Sequence, residues 1–436
     1  MSTQPLVSNP LDVFSDQALP RWARVHQRLD AESVGSIADA VAREFARPEI
    51  RDSIRPGQKV ALTAGSRGID RIAEVLRNAV HQVRLLGAEP FIVPAMGSHG
   101  GATAEGQRAL IAHYGVTEES MGAPIRASME TVHLGEIAGN VPVWFDRIAY
   151  EEADAVIPVG RVKPHTDFRG PTESGLMKMI AIGLGKQHGA SWFHSQGIGT
   201  FGELIPRVAA YTLSQVNIPF GIALVENGLS KLAIIEAVPK AGMYEREQEL
   251  LTIARGKLAR LPQVERADVL IVDEIGKDIS GDGADPNVIH RDVAGVIDFS
   301  EARPQVQRAI VRGLTVDTEG NATGIGMFDF ALRRAVDAMD PIPTYMNMIT
   351  AKSPQGARVP ITVETDRQAL SLAIASALKV EPGQARIIRI ASTKTLDRVL
   401  MSAPLLAELE GSDAIEGIDE PGEIGFDTGG MFTEAL

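Results

Sequence analysis

Three loops of this chain carry side chains that can move a proton or hold an anion, and each follows a run that reads as a β-strand. AGSRG carries Arg67 between Gly65-Ser66 and Gly68, GSHGGA carries His99, and GRVKPHTDFRG carries His165. Imidazole titrates near neutrality, so two histidines presented at one edge suit opposed acid and base work. A glycine-flanked arginine suits an anion, because backbone N–H groups approach closely and guanidinium grips carboxylate or phosphate in a fork. Taken singly, each has a plainer reading. Arg67 reads equally as a solvated loop charge or a helix-end ion pair, His99 as a satisfied loop histidine, and His165 as a surface neighbour of Lys163 and Asp167.

The densest stretch is 160–197, where His165, His188 and His194 join Lys163, Lys178 and Lys186 in a Gly-rich frame. His188 and His194 lie about 240° apart around a helix, so one regular helix cannot turn both to one metal. No GxGxxG follows a strand, GLGK at 183–186 lacks the first Gly and the final Ser/Thr of a phosphate loop, and HExxH is absent. Dinucleotide, ATP and paired-histidine zinc chemistry are unsupported. The segment alone reads as a loop-built site that can take a metal. His26, His81, His113 and His133 fall in ordinary helical or strand patterns and read as structural, while the sequence assigns no role to His290.

The elements that have to position these loops alternate. A strand at 58–63 leads into a helix from about Asp70, where Ile72, Val75, Leu76, Ala79, Val80 and Val83 make one apolar face and Gly87 marks the end. Strand 91–96 precedes a helix entered through Thr103, and strand 154–159 precedes the third loop. Asn227-Gly228 between apolar runs signals a hairpin. A helix at 244–260 and Pro262 before ADVLIVDE place a domain boundary near 262. Beyond it the pattern predicts helices at 302–312, 327–338 and 366–378 and strands at 359–364 and 385–391. The expectation is a 1–30 N-terminal arm, a 31–261 α/β domain and a 262–436 α/β domain, with mainly parallel sheets and the site in the cleft between domains.

Of 436 residues, 44% are hydrophobic and 23% charged, which excludes a disordered chain. The net charge is −13, and residues 408–436 hold nine carboxylates and no Lys or Arg. No basic face is left for a phosphate backbone, so nucleic acid is not an expected partner. That acidic tail is either mobile or wrapped back. There is no cysteine, hence no disulfide, thiolate metal site or Cys nucleophile. No secretory signal or apolar stretch of about 20 residues is visible, so no membrane partner and a cytoplasmic location are expected. Homo-oligomerisation stays open.

The succession strand–GSHGGAT–helix, VGRVKPH, SGLMK and a histidine sixteen residues after that lysine resembles the nickel-dependent lactate racemase family. That family carries a glycine–x–histidine loop, a proline–histidine step, a serine–glycine–glycine–arginine–lysine turn and a later histidine. The likeness covers roughly residues 55–200 by motif and the remainder by layout. It implies a nickel-pincer nucleotide, a pyridinium mononucleotide whose thio-acyl arms hold nickel through two sulfurs and a ring carbon. It implies Lys178 as the covalent attachment, His194 as nickel's fourth ligand, and His99 and His165 as the acid–base pair. Arg67, with Gly65 and Ser66 in its loop, is implied to lie near cofactor and substrate. Nickel favours tetragonal sites with nitrogen and soft sulfur donors, and the cofactor brings the sulfur a Cys-free chain lacks.

The chain also departs from that pattern. Leu176-Met177 replaces the family's Gly-Arg, and about three extra residues separate His165 from Lys178. In the second domain GKDISGDGADPN stands where the family has its substrate segment. Lys277 and Asp278 match the start of that segment, but its tyrosine, glutamine and later lysine have no counterpart. The resemblance therefore implies retained cofactor chemistry with altered substrate recognition. It points to a racemase or epimerase at C2 of a 2-hydroxy acid, lactate-like or larger, such as a sugar acid. Lys277 becomes a substrate contact and the cofactor-biosynthesis proteins become partners. Two other readings are a non-catalytic nucleotide- or metal-binding protein and a histidine-based metal-dependent hydrolase without the pincer cofactor.

Overall fold

The computed structural model describes Phe14 and residues 17–66 and 68–436; Arg67 and most of the first 16 residues lie outside the described residues. The chain divides into two compact units, Asp30–Leu258 and a second made of residues up to Leu29 with Ala259–Leu436. Both are α/β, and parallel pairing predominates.

In the unit 30–258 the strand Lys59–Ala64 pairs in parallel with Glu89–Pro94 on one side and Ala155–Ile157 on the other. Their near-continuous apolar runs suit strands covered on both faces. The helix Ile72–Leu85 buries all six residues of the expected stripe, and Gly87, at φ +79°, ends it by donating its N–H to Arg84 O. Pro158 has no N–H for a ladder, and there the strand changes partners. Val159–Arg161 runs parallel to Phe220–Glu226, while Thr63 Oγ1 accepts the Val159 N–H at 2.8 Å in place of a ladder carbonyl. Phe220–Glu226 turns into antiparallel Leu232–Pro239 at Asn227, whose Oδ1 accepts the N–H groups of Leu229 and Lys231 at 2.9 and 3.0 Å. A separate hairpin joins Thr131–Ile137 to Val141–Asp146.

The other unit is built on an eight-stranded sheet of described residues. Ile361–Val363, Phe330–Leu332, Gln305–Leu314, Arg266–Ile275 and Ile387–Ile390 run in parallel, followed by antiparallel Arg398–Ser402, Trp22–Gln27 and Ile415–Ile418. Residues 22–27, counted with an arm in the sequence, thus form a strand within this sheet. The helix expected at 302–312 is instead the strand Gln305–Leu314. Its buried Ala309-Ile310-Val311 run lies between two parallel neighbours, a pattern that helical spacing mimics over so short a window. Likewise only Arg333–Asp337 of the expected helix 327–338 is helical, after the strand Phe330–Leu332.

The acidic tail wraps back. Arg312 forms a fork on Asp366, both bonds 2.7 Å, and also meets Asp273 at 2.7 Å; Arg389 forks Asp273 at 2.8 and 2.9 Å. Phe432 lies under both guanidinium groups, at 5.1 and 4.7 Å, and donates its N–H to Asp366 Oδ2 at 2.9 Å. No helix among the described residues is long and apolar enough to cross a membrane.

Candidate functional site

The loop after Lys59–Ala64 begins with Gly65 and Ser66. Its far end is fixed by Glu226, whose Oε1 accepts the Asp70 N–H at 2.7 Å. A Cβ on Gly65 would come within 3.2 Å of Met179 Cε, so this glycine lets the loop lie against the residue next to Lys178. Ser66 Oγ is hydrogen-bonded to His99 Nδ1, joining the first loop to the second. The His99 loop turns through Gly100 at φ +65°, packed so tightly that a Cβ there would meet Gln107 N at 2.6 Å. Thr103 then caps the helix Ala104–His113, its Oγ1 accepting the Gly106 N–H at 3.0 Å.

His165 follows Val159–Arg161. Its backbone N–H donates to Glu173 Oε2 at 2.6 Å, and its Nδ1 accepts the Asp167 N–H at 3.0 Å. A backbone amide can only donate, so the neutral ring carries its proton on Nε2. Protonating Nδ1 requires that N–H to let go, and Asp167 Oδ2, at 3.7 Å, is the acceptor that can then receive the new Nδ1–H. Glu173 is fully buried. Its other oxygen takes Arg255 Nη2 at 2.6 Å and the Gly170 N–H at 3.3 Å, so one carboxylate shapes the whole turn.

Lys163 and Ser174 exchange backbone hydrogen bonds of 3.1 and 3.2 Å, which ties the His165 segment to the turn carrying Lys178. Lys178 ends the short helix Leu176–Lys178, which continues as a π-turn over Met179–Gly183. Such turns recur at functional positions because they re-aim side chains. Glu247, fully buried, accepts the Met177 N–H at 2.9 Å, and burial pushes its carboxyl up to about 7 against the pull of the Met177 and Leu176 N–H groups. Gly175 is obligatory beside it, since a Cβ there would meet Glu247 Cδ at 2.7 Å.

His194 lies near the end of the helix Lys186–Ser195, 5.4 Å from the Phe201 ring. Phe201 is 5.6 Å from Phe168, which lies 4.3 Å from the His165 ring. One set of contacts thus connects Gly65, Ser66 and His99 to the Lys178 turn, and another links His165 to His194 through two phenylalanines.

His188, on the same helix as His194, faces elsewhere. Its Nδ1 is 2.8 Å from Thr131 Oγ1, and its ring lies 5.4 Å from Trp144, which also meets His133 at 4.6 Å. His290 belongs to the other unit; it caps a short helix at φ +56°, and burial holds its ring below the ordinary 6.5. Lys277 lies there too, its Nζ donating to Gly281 O at 2.7 Å within its own loop.

Among the described residues no group of three His, Asp or Glu side chains converges to hold a metal ion. Sequence reasoning missed Glu173, Glu247, Gln107 and the role of Lys186. For Glu247 a signal was present, because it stands on the same face of the helix Met243–Lys257 as Met243, Leu250, Leu251 and Ala254. A carboxylate in an apolar stripe is the informative kind of exception.

No protein-family model and no curated protein matches the sequence. Among solved structures the chain is similar to the lactate racemase apoprotein from Thermoanaerobacterium thermosaccharolyticum, with a TM-score of 0.52 and 16% identity over 86% of this chain and 99% of that one. It is also similar to a protein from Thermotoga maritima, with a TM-score of 0.51 and 12% identity over 83% of this chain and 96% of that one. At such identities the likeness is one of fold: this chain has a lactate racemase-like α/β fold.

Proposed function

We propose that this protein is a racemase or epimerase that inverts C2 of a 2-hydroxy acid with the help of a nickel-pincer nucleotide. The observation that carries the reading is the linkage of Ser66, His99, His165 and the Lys178 turn within one unit, through contacts between loops far apart in sequence. The likeness in fold to a lactate racemase apoprotein supports it.

The donor chemistry suits a group that brings most of its own metal ligands. Cysteine is absent, and the described residues assemble no three-residue metal cluster, so one imidazole from His194 is what the chain would add. Lys178 would hold the group covalently, and Gly65 keeps the loop facing that turn slim. When bound, the group supplies a pyridinium ring able to accept and return the hydride of the substrate Cα.

The chain's own work is proton transfer and orientation. His99, anchored through Nδ1 to Ser66, exchanges the hydroxyl proton at Nε2. His165 does so for the other enantiomer, whose hydroxyl is presented to the opposite side. For His165 that means trading the Asp167 N–H bond for one from Nδ1 to Asp167 Oδ2.

The test uses protein produced together with the cofactor-biosynthesis enzymes. Intact mass and peptide mapping should find an adduct on Lys178 and stoichiometric nickel. Lys178→Ala should lose the adduct, and His194→Ala should keep it while holding nickel poorly. With separate enantiomers of candidate 2-hydroxy acids, His99→Ala and His165→Ala should each stop interconversion in both directions, and the double variant should be hardly worse. His133→Ala should keep turnover. An adduct on Lys163, or both histidine variants racemising at the wild-type rate, overturns the reading.

A further inference from the structure

Lys186 is the lysine of the GLGK segment that failed as a phosphate loop. It is fully buried and adopts φ +52° at the start of the helix that carries His194. An ammonium has three protons to donate. Two carbonyl oxygens accept from this one, Pro94 O at 2.6 Å and Gln107 Oε1 at 3.3 Å, and Asp146 Oδ2 pairs with it as a counter-ion at 2.8 Å. Asp146 is equally buried, and its Oδ1 accepts the Ala149 N–H at 2.8 Å.

The consequence lies one residue further on. Because Gln107 turns its oxygen to the ammonium, its NH2 group has to face the other way. There it donates to Gly97 O at 2.9 Å and His99 O at 3.2 Å, both carbonyls of the GSHGG loop. The amide can point in only one sense while the charge is there. With a neutral side chain at 186 the amide oxygen loses that donor, and only the two loop carbonyls are left to orient the group.

We propose that Lys186, through Asp146 and Gln107, is a positioning residue that sets the His99 loop for proton transfer. It is no attachment point for a cofactor, because its nitrogen is fully buried and engaged by Pro94 O, Gln107 Oε1 and the Asp146 carboxylate. The inference rests on the reading that His99 exchanges the substrate proton, and the experiment separates the two.

Two variants are needed. Lys186→Met with Asp146→Leu removes the ion pair at constant net charge and replaces it by apolar volume, a change that buried pairs often tolerate. Gln107→Met leaves the ion pair and cuts only its link to the loop. The full-length chain is followed by unfolding in urea and by histidine Cε1–H NMR, with His99 assigned through His99→Asn and His81 as internal reference. In both variants the His99 resonance should broaden and change its titration midpoint, while His81 stays put. In cofactor-loaded protein, kcat should fall about 10- to 100-fold with KM little changed.

Folded variants with an unaltered His99 titration overturn the proposal. If the double variant does not fold, Gln107→Met alone decides. A wild type that never racemises while His99 responds to both variants sinks the function and leaves the positioning role standing.

Discussion

Glu247→Gln is the perturbation whose size follows most directly from the structure. The carboxyl is fully buried on the inner face of the helix Met243–Lys257, one oxygen bonded to the Met177 N–H and Oε1 with no hydrogen-bond partner among the described residues. Burial moves its pKa from the ordinary 4.5 to about 7 in the folded chain. A carboxyl that holds its proton more tightly when folded contributes stability that is complete below about pH 4.5 and is lost as pH rises through about 7. At 1.36 kcal/mol per pH unit the whole effect is about 3 kcal/mol, of which about 2.5 falls between pH 5 and 8. Glutamine cannot titrate, so the variant's stability relative to wild type should climb by that amount over the same interval. The assay is urea unfolding followed by tryptophan fluorescence in a Trp22→Phe background, which leaves Trp144 and Trp192, both in the unit that holds Glu247. An infrared band of protonated carboxyl at neutral pH, absent from the variant, checks the same point independently. A relative stability flat to within about 0.5 kcal/mol from pH 5 to 8 would refute the buried, proton-holding carboxyl.

Gly175→Ala forces a Cβ to within 2.7 Å of the Glu247 carboxyl carbon, so it should cost about 1–3 kcal/mol by urea unfolding and reduce adduct formation on Lys178. The neutral His165 ring should show the Nε2–H tautomer in 15N NMR of the protein without substrate, since its Nδ1 accepts the Asp167 N–H; an Nδ1–H ring contradicts that arrangement. Phe432→Ala removes the ring beneath Arg312 and Arg389 and should destabilise the unit containing 259–436 by about 1–3 kcal/mol, while a stability unchanged by the truncation would mean the tail merely rests there.

The elements that the sequence made legible are those with one clear period and a punctuated end. Ile72 to Val83 repeated at helical spacing before Gly87, Thr103 stood where a cap belongs, and Asn227 marked its hairpin. Legibility failed where a segment is buried on both faces. Gln305–Leu314 carries Arg308 and Arg312 among apolar residues, which reads as an amphipathic helix until the neighbouring strands are known. The tail was undecidable because its nine carboxylates advertise solvent, whereas a few side chains near the end, Phe432 above all, determine where it goes. Of the candidate site, the chemistry-bearing residues stood out by type and by loop position. What holds them did not, because Glu247 and Lys186 act on groups far from them in sequence, and Glu173, though near the His165 turn, is buried against the distant Arg255.

Those three buried ionisable side chains share one arrangement. Glu173 holds the His165 turn, Glu247 the start of the Lys178 turn, and Lys186 reaches the His99 loop through Gln107; each is fully buried. Burying an ion costs several kcal/mol even after pairing, and apolar residues of similar volume usually serve stability as well or better. Stability alone therefore gives no reason to bury three ionisable groups beside three loops of one unit. What a buried polar group supplies and a leucine cannot is direction, because it fixes which N–H or C=O of a loop faces inward. Proton transfer is sensitive to such placement, since reacting atoms have to approach to about 3 Å along a defined line. Loops held this way should keep their geometry as surrounding apolar packing drifts.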